Sequence, residues 1–289
     1  MNRINESFFE WWEINSPSYS ALLFDIDGTL LAGKRALPGA VGLLQWIRNN
    51  SYPFYLLTND GNHSLQEKSS FLKRAGLEIA PDEIVSCSSA IKEFVDDNSL
   101  RGFTAFVMGD LGKPDYAEEA GLIVTRNTEK IEECSIVIVG EGEYDWYTNI
   151  NAVLNMLVRH PERTLLVPNP DTYWPDGYGG FGIGAGGKAR FIKSILDEMH
   201  APVKIVYLGK PYKAIFEFTH HLLRSKYNMP DTVEGKRIIM IGDNLQSDIL
   251  GGNTAGFTSV LMLTGVTSET QAIQAEKSLK ADLIFRGFA

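Results

Sequence analysis

Residues 21–30 read Ala21-Leu22-Leu23-Phe24-Asp25-Ile26-Asp27-Gly28-Thr29-Leu30, and the fold prediction starts from this stretch. Its four leading apolar residues predict a buried strand, and the chain is free to turn at the glycine that follows. The two aspartates are two residues apart and point the same way, so their mutual repulsion calls for a cation or a shared proton. A divalent metal would supply the cation, and a catalytic acid would use the shared proton. Taken alone, the stretch is better explained as an acidic turn after a strand, without a function.

Strand-like and helical patterns alternate on both sides of this stretch, which predicts an α/β fold with a parallel sheet. The first group of predicted strands is Ala21–Phe24, Phe54–Leu57, Lys204–Leu208, Arg237–Ile241 and Ser259–Leu263. The predicted helices between them are Pro38–Arg48, Leu65–Ala75, Lys213–Lys226 and Gln246–Ala255. Gly76 and Gly256 suit the C-terminal caps of two of these helices.

The middle of the chain has its own strand and helix patterns, which predicts a second α/β domain inserted into the first. Its predicted elements are the strands Thr104–Met108, Ile136–Val139 and Thr164–Val167 and the helices Asp115–Ala120, Trp146–Arg159 and Ala189–Met199. We therefore expect an N-terminal extension at 1–18, a Rossmann-like core at 19–100 and 203–289, and an inserted domain at 101–202. The aromatic residues of the extension predict a short helix that packs onto the core, with a partner contact as the alternative.

The composition excludes several classes of protein. A net charge of −9 over 289 residues argues against nucleic-acid binding, which depends on clustered Lys and Arg. Cys87 and Cys134 lie in apolar stretches without metal-ligand spacing, so we expect reduced thiols in the core. The N-terminus lacks a signal-peptide pattern, and no stretch reaches the ~20 apolar residues of a membrane span. We expect a cytoplasmic protein without a membrane partner.

Polar residues follow three more predicted strands of the first group. Thr58 and Asn59 can hold phosphate oxygens without adding charge, and Lys210 can offset the charge of a carboxylate or a phosphoryl group. Asp243 ends another strand, and Asp248 lies about one helical turn later, so both can face one site. Open parallel sheets bind ligands at the carboxyl ends of their strands. The oxygen-rich set suits Mg²⁺ better than Zn²⁺, which prefers His and Cys.

The order and spacing of these motifs resemble the haloacid dehalogenase (HAD) superfamily. The length of the insert is similar to the large α/β (C2) cap of its class IIA branch, the NagD-like or p-nitrophenylphosphatase-like phosphatases. Three further phrases are similar to that branch: Asn169-Pro170-Asp171-Thr172, Asp248-Ile249-Leu250-Gly251-Gly252 and Leu263-Thr264-Gly265-Val266-Thr267. The resemblance runs from about Ser20 to the C-terminus, so only the N-terminal extension falls outside it.

The resemblance implies a Mg²⁺-dependent hydrolase of phosphate monoesters that acts through an aspartyl-phosphate. Asp25 would be the nucleophile, and Asp27 would protonate the leaving alcohol and then deprotonate the hydrolytic water. Thr29 would orient Asp27. The implied substrates are small phosphorylated metabolites such as sugar phosphates, polyol phosphates or nucleoside monophosphates.

The resemblance also assigns the ligands of the metal and of the phosphoryl group. Mg²⁺ would be held by the Asp25 side chain, the Asp27 backbone carbonyl and Asp243, with Asp248 behind them or as an occasional ligand. The phosphoryl oxygens would be held by Thr58, Asn59 and Lys210. A homodimer through the cap or the N-terminal extension is compatible with the branch.

Substrate contacts in the cap are expected near the phrase that begins at Asn169. The candidates are Asn169, Asp171 and Trp174. Tyr173, Trp174 and Tyr178 could stack on the organic part of a substrate or fill the core of the cap.

Three alternatives stay open from the sequence. A phosphotransferase or phosphomutase would use the same aspartyl-phosphate, and a non-catalytic binding protein could keep the same fold. The acid at Asp27 argues against a dehalogenase, which lacks one there. The glycines of Gly177–Gly187 would fit a dinucleotide-binding oxidoreductase, but no clear strand precedes them.

Overall fold

The computed structural model describes residues 4–175, 180–230 and 232–289. The strands are β1 (Ile4–Ser7), β2 (Ala21–Phe24), β3 (Leu31–Ala32), β4 (Arg35–Ala36), β5 (Phe54–Thr58), β6 (Ile84–Ser86), β7 (Thr104–Met108), β8 (Ile123–Thr125), β9 (Ile136–Val139), β10 (Thr164–Val167), β11 (Tyr173–Pro175), β12 (Phe181–Ile183), β13 (Ile205–Tyr207), β14 (Ile238–Gly242), β15 (Thr258–Met262) and β16 (Leu283–Gly287).

The α-helices are α1 (Phe8–Asn15), α2 (Ala40–Asn49), α3 (Leu65–Arg74), α4 (Ile91–Asp97), α5 (Tyr116–Glu119), α6 (Trp146–Arg159), α7 (Ala185–Glu198), α8 (Lys213–Tyr227), α9 (Leu250–Thr254) and α10 (Glu269–Gln274). A π-helical turn, Leu245–Ile249, leads directly into α9. Gly76 and Gly256 both have positive φ just beyond the ends of α3 and α9, so the two predicted C-terminal caps are confirmed.

The described chain divides into two compact units. The first contains the residues up to Thr58 together with Lys68–Val85 and Lys210–Ala289, and the second contains Asn59–Glu67 and Ser86–Gly209.

The sheet of the first unit is built around β2. Across the described residues its seven strands run in the order β1-β16-β15-β14-β2-β5-β6. β2 is parallel to both of its neighbours, with Phe24 opposite Ile241 on β14 and opposite Leu56 on β5. Every residue of β2, β5 and β14 is buried, as expected of parallel strands covered on both faces. The register brings the ends of these three strands to one edge of the sheet.

The N-terminal segment is an integral part of the first unit. β1 adds a parallel edge strand, with Ile4 opposite Ile284 of β16, a pairing that the sequence pattern did not predict. The predicted aromatic helix is confirmed as α1, whose Phe8 and Trp12 are fully buried. Phe8 packs edge-on against Phe285, with 5.3 Å between the ring centroids. Phe8 and Trp12 therefore pack inside the first unit and are not exposed for a contact with a partner.

The second unit has a parallel sheet of its own. Its five strands, counted over the described residues, run in the order β13-β10-β9-β7-β8. The helices α6 and α7 cover this sheet, and their apolar side chains form one core with those of β7, β9 and β10. A separate hairpin of β11 and β12 is antiparallel. Of the Gly177–Gly187 stretch, residues 177–179 and the candidate Tyr178 lie outside the described residues, and Gly182 belongs to this hairpin rather than to a parallel βα turn.

Three predicted elements differ from the structure. The predicted strand Lys204–Leu208 is β13, but it pairs with β10 of the second unit, because Ile205 and Tyr207 pack against the core of that unit. The predicted helix Gln246–Ala255 begins as the π-helical turn. The predicted helix Ala189–Met199 starts four residues earlier, at Ala185. Glycines at the start of α7 disfavour a helix by propensity, yet they let the helix approach the backbone of Pro170–Thr172.

The described helices include none that is both long and apolar enough to cross a membrane. Cys87 and Cys134 are both buried, as the sequence predicted, and neither forms a disulfide with a described residue.

Candidate active site

The first unit gathers its polar side chains at the ends of β2, β5 and β14. Asp25 follows β2 directly, Thr58 is the last residue of β5, and Asp243 follows β14. The sheet register continues into the site, because the Asp25 backbone N–H donates to the Ile241 carbonyl at 2.8 Å. All three side chains are buried, with Asp25 9% exposed and Asp243 3% exposed. The sequence prediction that these strand ends share one edge is confirmed.

Lys210 is the cation of this cluster. Its ammonium donates to Asp25 Oδ1 at 2.5 Å and to Asp248 Oδ1 at 2.7 Å. The second oxygen of Asp248, which lies within the π-helical segment, accepts the backbone N–H of Asn244 at 3.1 Å, at the start of that segment. Lys210 is only 2% exposed, so the two ion pairs are shielded from water. A buried lysine with two carboxylate partners fixes the orientation of both carboxylates.

The carboxylates of Asp25, Asp243 and Asp248 fit a divalent cation. Each offers an oxygen, and these oxygens lie within 4.8 Å of one another. Three ionised carboxylates beside one ammonium leave an excess of negative charge in a buried place, which is costly without a counter-ion. The donors are all oxygens, the type that Mg²⁺ prefers. The residues present therefore suit the metal that the sequence predicted.

The electrostatics of the bare protein reflect the same excess charge. Burial raises the pKa of Asp25 well above its ordinary value, and the nearby Asp248 and Asp243 raise it further against the effect of Lys210. Burial, followed by the charge of Asp248, raises the pKa of Asp243 to about 7. Burial alone would lower the pKa of Lys210, but Asp248 and Asp25 outweigh it and the pKa is raised. The site therefore favours the charged form of Lys210 and disfavours the charged forms of Asp25 and Asp243.

Three glycines pack directly against the carboxylates. A Cβ atom at Gly28, where φ is +81°, would lie 2.3 Å from Asp243 Oδ2, and one at Gly265 would lie 1.8 Å from the same oxygen. A Cβ at Gly242 would lie 2.2 Å from the carboxyl carbon of Asp248. Real Cβ contacts stay above 3.0 Å, so any side chain here would displace the carboxylate. The glycines allow the backbone to enclose the acids closely.

The side chains of Asp27 and Thr29 lie in different surroundings. Asp27 is exposed, unlike Asp25 two residues earlier. Thr29 is fully buried, and its hydroxyl has no hydrogen-bond partner among the described residues. The turn between them is fixed from another strand end, because Thr264 Oγ1 donates to the Gly28 carbonyl at 2.6 Å. The structure therefore shows no hydrogen bond through which Thr29 would orient Asp27, and that role stays a prediction.

The remaining predicted site residues belong to the second unit. Asn59, which follows Thr58 directly, donates from Nδ2 to Asp171 Oδ1 at 3.1 Å. Asn169 accepts the Asp171 backbone N–H at 2.9 Å and donates to Glu141 Oε1 at 2.5 Å. The structure thus links three predicted residues, Asn59, Asp171 and Asn169, in one chain of hydrogen bonds. Trp174 lies on β11 and is 47% exposed.

A fourth strand end contributes a group that sequence reasoning did not assign. The Val266 backbone N–H donates to Asp243 Oδ2 at 2.7 Å. Val266 follows β15 in the phrase that begins at Leu263. The signal was available, because this phrase comes just after a predicted parallel strand, as the assigned motifs do. Any residue type except proline can supply a backbone N–H donor, however, so the identity of residue 266 does not predict this role. Within the phrase, only Gly265 indicated close packing of the backbone.

Comparison with known proteins supports the resemblance to the HAD superfamily that the sequence motifs indicated. Residues 22–123 match the family described as haloacid dehalogenase-like hydrolase, and residues 207–289 match a family described as HAD-hydrolase-like. The acid sugar phosphatase of Staphylococcus haemolyticus is 26% identical over 87% of this chain and 88% of its own.

Solved structures extend the likeness to the whole chain. A possible sugar phosphatase of the HAD superfamily from Cytophaga hutchinsonii is 26% identical and covers 100% of this chain and 99% of its own, with a TM-score of 0.80. NagD from E. coli K-12 is 25% identical over 94% of this chain and 97% of its own, with a TM-score of 0.74.

Proposed function

Because the chain belongs to the haloacid dehalogenase-like hydrolases, we propose that it is a Mg²⁺-dependent phosphatase of small sugar or polyol phosphates. The observation that carries this proposal is the buried cluster in which Lys210 contacts Asp25 and Asp248 beside Asp243. Such a cluster has little use as a stabilising element, since buried ion pairs seldom repay their desolvation. Its charges are better suited to a phosphoryl group and a cation.

Asp25 is the proposed nucleophile. Its carboxylate oxygen would form a bond to phosphorus while the bond from phosphorus to the alcohol oxygen breaks, which leaves an aspartyl-phosphate. Lys210 holds Asp25 Oδ1 at 2.5 Å, so the carboxylate is oriented before the substrate arrives. Water would then attack the aspartyl-phosphate and restore the free carboxylate.

Asp27 is the proposed general acid and base. It would give a proton to the leaving alcohol and then accept one from the attacking water, a role worth ~10²–10⁴ in rate. Its exposed position suits this role, because a proton carrier must reach both the leaving group and water. Asp25 is enclosed and is better suited to attack.

Thr58, Asn59 and Lys210 are the proposed phosphoryl-binding groups. The hydroxyl and the amide can donate hydrogen bonds without adding charge, and the ammonium adds the positive charge that phosphoryl oxygens require. The bond from Asn59 Nδ2 to Asp171 fixes which end of the amide is the donor.

Mg²⁺ is the proposed cofactor, held by Asp25, Asp243 and the Asp27 backbone carbonyl, with Asp248 nearby. When bound, it would neutralise the charge that develops on the phosphoryl oxygens. The hydrogen bond from Val266 and the packing of Gly28 and Gly265 keep Asp243 in place for this role.

Hydrolysis of p-nitrophenyl phosphate and of a panel of sugar and polyol phosphates tests the proposal. We expect turnover with Mg²⁺, none with EDTA, and none in Asp25→Asn or Asp27→Asn, with circular dichroism showing that both variants are folded. Lys193→Met, on the surface of the second unit, serves as the control and should keep full activity. Absence of metal-dependent turnover on every ester would refute the phosphatase and leave the non-catalytic alternative.

A further inference from the structure

The loop after β15 contacts two other strand ends of the first unit. The backbone N–H of Val266 donates to Asp243 Oδ2 at 2.7 Å, and the hydroxyl of Thr264 donates to the Gly28 carbonyl at 2.6 Å. In the sheet, β14 lies between β15 and β2. Strands that are two places apart lie roughly 10 Å from each other, farther than a threonine side chain reaches, so the loop itself crosses the end of β14.

The bond from Thr264 falls at the most permissive position of the turn that carries Asp27. Gly28 follows Asp27 directly, has a φ of +81° and, without a Cβ, has more conformations open to it than other residues. Its N–H donates to the Leu31 carbonyl at 2.8 Å, and the Leu31 N–H donates to the Ile26 carbonyl at 2.9 Å. These two bonds close the turn on itself, whereas the bond from Thr264 joins the turn to a residue 236 positions later.

The side chain of Asp27 depends on the backbone of this turn for its direction. Asp27 is exposed, so packing restrains its carboxylate less than it restrains the buried Asp25. Thr29, which the sequence assigned to orienting Asp27, has a buried hydroxyl without a hydrogen-bond partner among the described residues. Thr264 holds the peptide group that joins Gly28 to Thr29, one residue beyond Asp27.

We propose that Thr264 is a positioning residue for Asp27 and acts through the Gly28 carbonyl. This inference rests on the proposed phosphatase function. In the first step of that function, a bond from Asp25 to phosphorus forms, the bond from phosphorus to the alcohol oxygen breaks, and that oxygen takes the proton of Asp27. A misplaced Asp27 therefore slows the departure of groups that need the proton and spares groups that leave as stable anions. The competing explanation is a threonine that only stabilises its loop.

The test compares two esters of similar shape that differ in their leaving group. Phenyl phosphate releases a basic phenolate unless its oxygen is protonated, whereas p-nitrophenyl phosphate releases an anion that the nitro group stabilises. We expect Thr264→Val to lower kcat/KM about tenfold for phenyl phosphate, the population shift that the loss of one hydrogen bond allows, and less than about twofold for p-nitrophenyl phosphate. Thr264→Ser keeps the hydroxyl and should keep the wild-type ratio of the two values.

The matched control is Thr258→Val. Thr258 is the first residue of β15, at the opposite edge of the sheet, and its hydroxyl also donates to a backbone carbonyl, that of Lys236, at 2.7 Å. The melting temperature of Thr258→Val should fall at least as far as that of Thr264→Val, because Thr258 is the more buried of the two threonines. The ratio of kcat/KM for the two esters should stay at the wild-type value.

Equal losses on both esters in Thr264→Val, or a Thr264→Val chain that fails to fold, would mark a structural threonine and overturn the proposal. A ratio that changes to the same extent in Thr258→Val would overturn it too, because lost stability alone would then explain the effect.

The wild type separates failure of this proposal from failure of the phosphatase function. If the wild type with Mg²⁺ hydrolyses neither ester, the phosphatase proposal fails and the role of Thr264 fails with it. If the wild type hydrolyses both esters and Thr264→Val keeps their ratio, only the role of Thr264 fails. Wild-type turnover of p-nitrophenyl phosphate alone would show that no group protonates the leaving oxygen, which overturns the role of Thr264 and leaves the hydrolysis in place.

Discussion

Replacing Gly265 by alanine should disable the site without unfolding the protein. Its Cβ would lie 1.8 Å from Asp243 Oδ2 and 2.5 Å from the carboxyl carbon. Since such contacts stay above 3.0 Å, the carboxylate or the loop must move by at least the difference of 3.0 and 1.8 Å, which is 1.2 Å. If the loop moves instead, the Val266 N–H that holds the same oxygen at 2.7 Å moves with it, so Asp243 loses its position either way.

A displacement of this size has a predictable kinetic cost. Misplacing a reacting group by about 1 Å costs on the order of 10²-fold in rate. We therefore expect Gly265→Ala to lower kcat/KM for p-nitrophenyl phosphate about 10²-fold and to raise the Mg²⁺ concentration needed for half-maximal activity. The measurement is initial rate against Mg²⁺ concentration, with the melting temperature recorded for each variant.

The matched control is Gly42→Ala. Gly42 lies within α2, and its Cβ would meet only Phe9 at 3.8 Å, an ordinary contact. Alanine should stabilise this helix by up to about 1 kcal/mol and leave the kinetics unchanged. If Gly265→Ala keeps both its rate and its Mg²⁺ requirement within twofold of the wild type, the position of Asp243 does not matter and the reasoning is refuted.

Three further predictions concern the buried charges and the buried hydroxyl. Lys210→Met should abolish turnover and, measured by urea unfolding in EDTA, lower the free energy of unfolding by about 3–5 kcal/mol, because it leaves Asp25 and Asp248 without their cation; equal stability would show that the carboxylates do not need it. Thr29→Val should keep turnover and gain about 1 kcal/mol in chemical denaturation, because it removes a buried hydroxyl without a partner among the described residues; loss of turnover would instead support the predicted role of Thr29 in orienting Asp27. Adding Mg²⁺ at about 100 times its Kd should stabilise the protein by about 2.7 kcal/mol in a thermal melt, and Asp243→Asn should lose most of that gain; an equal gain in both would place the metal elsewhere.

The hydrogen bonds around Asn59 give Asn169 and Asp171 a structural role. From the sequence, Asn169 and Asp171 were candidates for substrate contact. In the structure, Asp171 holds the amide of Asn59, and Asn169 holds Asp171 and Glu141. Their bonds within the second unit are enough to explain why polar residues stand there, and a contact with substrate stays a prediction.

The strand ends that carry the site could be predicted from the sequence. Asp25, Thr58 and Asp243 follow or end apolar runs whose burial and parallel pairing could be predicted, because strand pattern and chain direction are local properties. Residue type also predicted the metal, since clustered carboxylates without His or Cys favour a hard cation.

Tertiary structure decided everything that depends on which distant segments meet. The apolar pattern of Ile205–Tyr207 predicted a strand but could not say which sheet it would join, and it joined β10. The helix pattern of α7 could not show that Lys188 lies buried over Tyr144, because a single lysine on a helix is ordinarily exposed. Even Asp25, the residue on which the sequence reasoning began, is oriented by a lysine 185 positions away, at a distance that only the folded chain sets.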